Sequence, residues 1–284
     1  MDVAAIVSSI NAIHHTDYTL RQRFAGGYQD GAFELVTAHG QRHVLKLKYA
    51  PRALPLIQQL CTLGYPTPAI RYSGQLGDHM GYVVQEFVPG TPLATLTPAL
   101  VEQLLHIIEQ QANLNPTPQA VQHSWSLYAH EVVFANASDW AALLRRSTPA
   151  TAQLLAGIER VVAPFEGLSL PNTDIVHGDF NIENVLAVQG RLTGVIDMLF
   201  AGYGTRAIDL ATLLHFAYTH DYGPAVRERL QERIRAIIGH GGVCICLTYR
   251  IIAMVAWAIE RDPGALDHYV HTGWQILRDL GGEY

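Results

Sequence analysis

The sequence predicts an α+β protein of two lobes, a small antiparallel β lobe followed by a larger, mainly helical one. Three observations carry that expectation. Short β-like runs alternate with turn residues over 18–48, the stretch VPGTPLATLTP (88–98) is rich in Pro and Gly, and apolar residues recur at helical spacing beyond it. With 284 residues, 49% of them apolar and 15% charged, the chain can bury sizeable cores and is too apolar to be disordered. We therefore expect a β-rich lobe over 1–87, a hinge over 88–98 and a helical lobe over 99–284.

In chain order, YTLRQRF, AFELVTA and RHVLKLKY read as a meander broken at AGGYQDG and HGQ. A helix follows at about 52–63, ended by Gly64 and YPTP, and AIRYSG and YVVQEFV add two strands around QLGDHM. Past the hinge, Thr97 and Pro98 make a good N-cap and first helical position for 98–113, and Ser138 is placed to cap DWAALLRR. Further helical spacing runs through 149–162, 206–219, 225–238 and 243–260. The exception is 174–200, which reads as a strand (DIVH), a loop, a short strand (VLAV), the turn QGR and a strand (TGVID).

Charge and cysteine usage narrow the function classes. The formal net charge is -6; residues 1–99 sum to +1 and 100–284 to -7, so the acidity lies in the second part. Nucleic-acid binding is not expected, because it needs basic patches, whereas a cationic small partner would suit that part. The N-terminus has no basic segment before an apolar core, and LTYRIIAMVAWAIE is interrupted by Arg250 and Glu260, so neither a signal peptide nor a membrane span is expected. Cys61, Cys244 and Cys246 form an odd set with no ordinary zinc spacing, which fits plain buried thiols in a reducing cytoplasm.

Chemistry concentrates in DIVHGDFNIENVL and the strand after it. Asp179 is followed five residues later by Asn184, and Asp197 ends the apolar strand TGVID. If 185–196 fold as a hairpin about QGR, its ends bring Asn184 and Asp197 side by side. Oxygen donors so placed suit Mg²⁺, which takes one or two carboxylates and completes its shell with water and phosphate. Asp179 would then reach a substrate hydroxyl. Taken alone, the loop also reads as a polar turn capped by Asp and Asn.

HGDFNIENVL followed by GVIDMLFAGYGTRAIDLATLL resembles the signature of the aminoglycoside phosphotransferase and choline kinase family, which has the two-lobed fold of protein kinases. The resemblance implies that Asp179 is the catalytic carboxylate, that Asn184 and Asp197 bind Mg²⁺ on the phosphates of ATP, and that His177 supports the loop. It also implies a buried Asp209 hydrogen-bonded to the loop backbone. GTP in place of ATP stays open.

VLK resembles the family's Val-Leu-Lys, so Lys46 is expected on the α- and β-phosphates, with Lys48, the only other lysine, as the fallback. FAGGYQDGAF lies where a phosphate-covering hairpin belongs, with Gly26, Gly27 and Gly31 letting backbone N–H groups approach. VVQEFVPG resembles the family's interlobe hinge, where backbone groups of Gln85, Glu86 and Phe87 would bond the base. One departure stands out. The helix after Lys46 normally supplies a Glu partner, yet Pro55 falls near that position, so the lysine lacks a partner or finds one elsewhere, for instance Asp197.

The expected acceptor is a small hydroxyl-bearing molecule, cationic in character, with an aminoglycoside-type antibiotic as the first reading. A small-metabolite kinase, or a non-catalytic nucleotide-binding relative, would share the motifs. Glu131, Asp139, Glu260, Asp262, Asp267 and the tail residues Glu283 and Tyr284 are candidate acceptor contacts, and Trp125, Tyr128, Trp257 and Trp274 could stack on a ring. The sequence leaves the oligomeric state open.

Overall fold

The computed structural model describes residues 2–24, 31–47, 51–76, 80–120 and 123–281. They fall into two compact units, one of residues 1–91 and 186–200, the other of 92–185 and 201–284. The chain changes unit near the expected hinge, and the segment 186–200, expected in the helical lobe, belongs to the first unit.

Unit 1 opens with α1 (Val3–His14), a helix absent from the elements expected from sequence. Asp2 caps it, accepting from the backbone N–H groups of Ala4 and Ala5 at 3.0 and 3.2 Å. Strands β1 (Thr19–Arg23), β2 (Ala32–Val36) and β3 (Arg42–Leu47) form the expected meander, α2 (Ala53–Thr62) follows, and β4 (Ile70–Leu76) and β5 (Met80–Glu86) complete an antiparallel sheet ordered β1-β2-β3-β5-β4. Alternation along β3 buries His43, Leu45 and Leu47 and leaves Val44 and Lys46 partly exposed. The buried face packs on α1 through Ile6, Val7 and Ile10, each contributing about 1.5–3 kcal/mol of burial.

The two-residue strand β6 (Thr91–Pro92) comes next. Unit 2 holds α3 (Pro98–Glu109), α4 (Trp125–Phe134), α5 (Trp140–Ser147) and α6 (Pro149–Val162), then strand β7 (Asp174–Val176). Thr97 caps α3 as expected, accepting from Leu100 N–H at 3.3 Å. Ser138 does not cap α5. It has a left-handed φ of 67°, its hydroxyl bonds the Tyr128 hydroxyl at 2.7 Å, and Asn136 Oδ1 instead accepts from Ala142 N–H at 3.0 Å.

Strands β8 (Val185–Val188) and β9 (Arg191–Val195) form the expected hairpin. Gln189 and Gly190 both take positive φ, 49° and 77°, as a two-residue turn of this hand requires. Strand β10 (Gly202–Gly204) pairs antiparallel with β7, and α7 (Ala207–Thr219) is buried on nearly every side. The two helices expected after it are a single element, α8 (Pro224–Arg261), broken by non-helical backbone at Gly239, and α9 (Leu266–Asp279) ends the unit. By length and composition α8 could cross a membrane, yet 83% of its most apolar window is buried inside the molecule. Cys244 and Cys246 lie on it as buried free thiols, pushed up to about 11 and about 12 by burial.

Candidate active site

The loop after β7 is held from below by one carboxylate. Asp209, on the first turn of α7 and fully buried, accepts from the backbone N–H groups of His177 (2.8 Å) and Gly178 (3.0 Å) and from the Gln111 side-chain amide (3.1 Å). Burial raises its carboxyl above the ordinary range, while these donors and the nearby His177 pull the other way. The expected contact between Asp209 and the loop backbone is therefore present. Sequence reasoning missed Gln111, which carries no motif.

The loop also has a fixed upper surface. Gly178 has φ 86°, and a Cβ there would lie 2.4 Å from the Trp125 ring, so the indole lies flush on the residue before Asp179. His177 is fully buried, with its ring edge-on to Phe180 at 5.5 Å. Supports on both sides leave Asp179 as the loop's half-buried carboxylate.

Asp179 is also gripped within the loop. Asn181 Nδ2 donates to its Oδ1 at 3.1 Å, and Asn184 Nδ2 donates to its Oδ2 at 3.2 Å and to its backbone carbonyl at 2.9 Å. Asn181 Oδ1 accepts from the N–H groups of Glu183 and Asn184, which folds the 3-10 turn Ile182–Asn184. Asn181 thus organises the loop, and Glu183 is exposed. A wider network ties the start of β7 to three helices. Asp174 binds the Arg206 guanidinium at 2.9 Å, and Arg206 reaches Glu109, which also pairs with Arg233.

Aromatic rings border the same loop. Tyr128 meets Trp125, Trp140 and Tyr249 edge-on, with centroids 5.7–6.3 Å apart. Burial lifts the Tyr249 hydroxyl to about 12, opposed by Arg250 and reinforced by the charge of Asp179. Trp257 packs on Tyr269, and Trp274 lies against Gly157. Asp139, Glu260, Asp262 and Asp267 are exposed, Glu131 is half-buried, and Glu283 and Tyr284 lie outside the described residues. Among the described residues no cluster of His, Cys, Asp and Glu forms a metal site, His123, His130, His268 and His271 included.

Unit 1 carries the remaining site residues. Lys46 Nζ pairs with Asp197 Oδ1 at 2.9 Å, the ammonium side chain 13% exposed and the carboxylate side chain 42%. The helix α2 that follows Lys46 contains Pro55 and no acidic residue, so the partner is Asp197 at the end of β9. Asp197 has a left-handed φ of 67°, and the strand below it is fixed by Val195 N–H donating to the Pro66 carbonyl at 2.6 Å. Gln85 is buried, Phe87 lies under the Arg42 guanidinium at 3.5 Å, and Glu86 binds Arg71 while its N–H donates to the Ala69 carbonyl. Of the three residues expected at the base, Glu86 therefore has no free N–H. Gly26, Gly27 and Lys48 lie outside the described residues.

In unit 2, Asn184 spends its amide nitrogen on Asp179, and among the described residues its side-chain oxygen has no hydrogen-bond donor. In unit 1, Asp197 presents a half-exposed carboxylate. Each is an oxygen donor of the kind a hard cation takes.

An aminoglycoside 3'-phosphotransferase of Escherichia coli is 38% identical over 60 residues, which are 21% of this chain and 21% of that protein, so the match spans about a fifth of the relative's length. Crystal structures share the fold at low identity. A thermostable mutant of aminoglycoside phosphotransferase APH(4)-Ia superposes with a TM-score of 0.73 at 15% identity, over 97% of this chain and 99% of that one. An amicoumacin kinase in complex with AMP-PNP, Ca²⁺ and Ami gives 0.65 at 12% identity, over 97% and 94%. The antiparallel sheet and the larger helical part are those of these kinase-like structures, as expected. Since the APH family, described as a phosphotransferase enzyme family, matches residues 21–242, the chain belongs to that family.

Proposed function

We propose that this chain is an ATP- and Mg²⁺-dependent kinase that transfers the γ-phosphate to a hydroxyl of a small molecule. The observation that carries this reading is the fixed carboxylate of Asp179, with each oxygen held by an amide of its own loop and the loop anchored on Asp209. Phosphoryl transfer asks little covalent chemistry of a protein, so a pre-positioned carboxylate and well-placed cations supply most of the effect. Asp179 orients the acceptor hydroxyl and takes its proton as the bond to phosphorus forms. Lys46 neutralises the α- and β-phosphates. Asn184 and Asp197 would hold Mg²⁺, which would supply positive charge to the phosphates of the nucleotide.

For the acceptor we propose a cationic molecule of aminoglycoside type. The net charge of -7 over residues 100–284 and the local likeness to an aminoglycoside 3'-phosphotransferase favour it. The test is an ATP-consumption screen of the purified protein against aminoglycosides, other antibiotics and polar metabolites. Turnover with a polycationic drug supports the reading. Turnover with a neutral metabolite alone replaces the acceptor, and no phosphate transfer to any hydroxyl, with ATP bound, overturns the kinase assignment.

A further inference from the structure

Among the described residues of unit 1 the carboxylates are few, and all but one are occupied by other donors. Asp2 caps α1, Asp17 accepts from Ala38 N–H at 3.1 Å, Glu34 is held by Arg21, Arg42 and Gln22, and Glu86 is held by Arg71. Among the described residues, Asp197 is the one carboxylate within ion-pairing distance of Lys46, and it stands where the family signature expects a magnesium ligand. The residue meant to grip phosphate thus rests on a residue meant to hold metal. A carboxylate oxygen 2.9 Å from an ammonium cannot also take a divalent cation without bringing like charges together.

We propose that Lys46 and the divalent metal compete for the Asp197 carboxylate, so that nucleotide phosphates must draw Lys46 away before Asp197 can serve the metal. Lys46 is then a positioning residue for Asp197 as well as a phosphate contact, a role that the absence of any acid in α2 forces on this chain. Nucleotide and metal each release the partner that the other needs, so each strengthens the binding of the other by the same factor. This rests on the kinase reading above.

The test is a double-mutant cycle read as binding, with AMP-PNP as the probe in excess EDTA. Asp197→Asn keeps a side chain that tolerates left-handed backbone and removes the hold on Lys46. Metal-free AMP-PNP should then bind about 5-fold tighter or more, within the usual range of such couplings. In the Lys46→Met background the same change should give little gain, because no lysine remains to be freed. An equal gain in both backgrounds means that Asp197 merely repels phosphate, and overturns the proposal.

A second readout needs no nucleotide. The chain has only two lysines, so ¹³C-lysine labelling gives two side-chain signals, and the one lost in Lys46→Arg is Lys46. That signal should move in Asp197→Asn; an unmoved signal means that no pair forms in solution and overturns the proposal. A moved signal in a chain that binds no nucleotide, with or without Mg²⁺, overturns the kinase reading and this proposal with it, a pattern distinct from the equal-gain failure.

Discussion

Two aspartates at signature positions are held in opposite ways. Asp209 in unit 2 is sealed from solvent and saturated by three N–H donors, none of which can leave without stranding a buried group. Asp197 in unit 1 is 42% exposed and holds one flexible ammonium that water or phosphate can replace. The first arrangement fixes geometry and the second permits exchange. On the reading proposed above, the loop under Asp179 stays fixed while the Lys46–Asp197 pair exchanges.

Asp179→Ala tests the fixed side most severely. Turnover should fall about 10³-fold, near 4 kcal/mol in the barrier, with melting temperature and Mg·AMP-PNP affinity close to wild type. Steady-state kinetics and calorimetry measure both, and normal turnover removes Asp179 from the chemistry.

Asp209→Ala should act on folding instead, costing about 3–5 kcal/mol and lowering the melting temperature by roughly 6–20 °C. A shift of only a degree or two in differential scanning calorimetry would mean that the loop does not depend on this anchor.

His215 extends the contrast to pH. It is fully buried in α7 and depressed to about 3, chiefly by desolvation and then by Arg250, His220 and His268. Because the unfolded chain protonates near pH 6.5 and the folded chain does not, the stability this group contributes is fully present above 6.5 and lost as pH falls toward 3. The loss should reach about 3 kcal/mol at pH 4. His215→Gln should flatten the acid limb of denaturant-derived stability against pH; an unchanged limb would show that His215 is protonated in the fold.

The smallest effect is expected at the exchangeable pair. Lys46→Met should change unfolding free energy by less than about 1 kcal/mol while weakening Mg·AMP-PNP binding. A loss comparable to that of Asp209→Ala would erase the distinction between the two aspartates.

Much of this was readable from sequence where local pattern and local structure coincide. The five strands of the sheet and the QGR hairpin follow from alternation and turn chemistry, whereas the roles expected of Asp179 and Asn184 rest on the resemblance to a family signature. Helix α4 has no clear sequence signal because WSLYAHEVVF mixes aromatic and β-branched residues without a clean apolar stripe, and its role comes from Trp125 meeting Gly178, 53 positions on. Ser138 fits the composition of a cap, but three left-handed residues, Asn136, Ser138 and Asp139, turn it away from the helix. No local signal reports Gln111 or the membership of 186–200 in unit 1, since both depend on contacts far apart in the chain.

That last feature bears on how the chain is made. A ribosome delivers residues 1–91 long before residues 186–200, and Asp197 with them, so unit 1 stays unfinished while the intervening segment emerges. At about 5–20 residues per second the wait is roughly 5–20 s. During that interval the sheet carries Lys46 without its carboxylate, and a fragment cut after residue 91 would keep the lysine in that state for good.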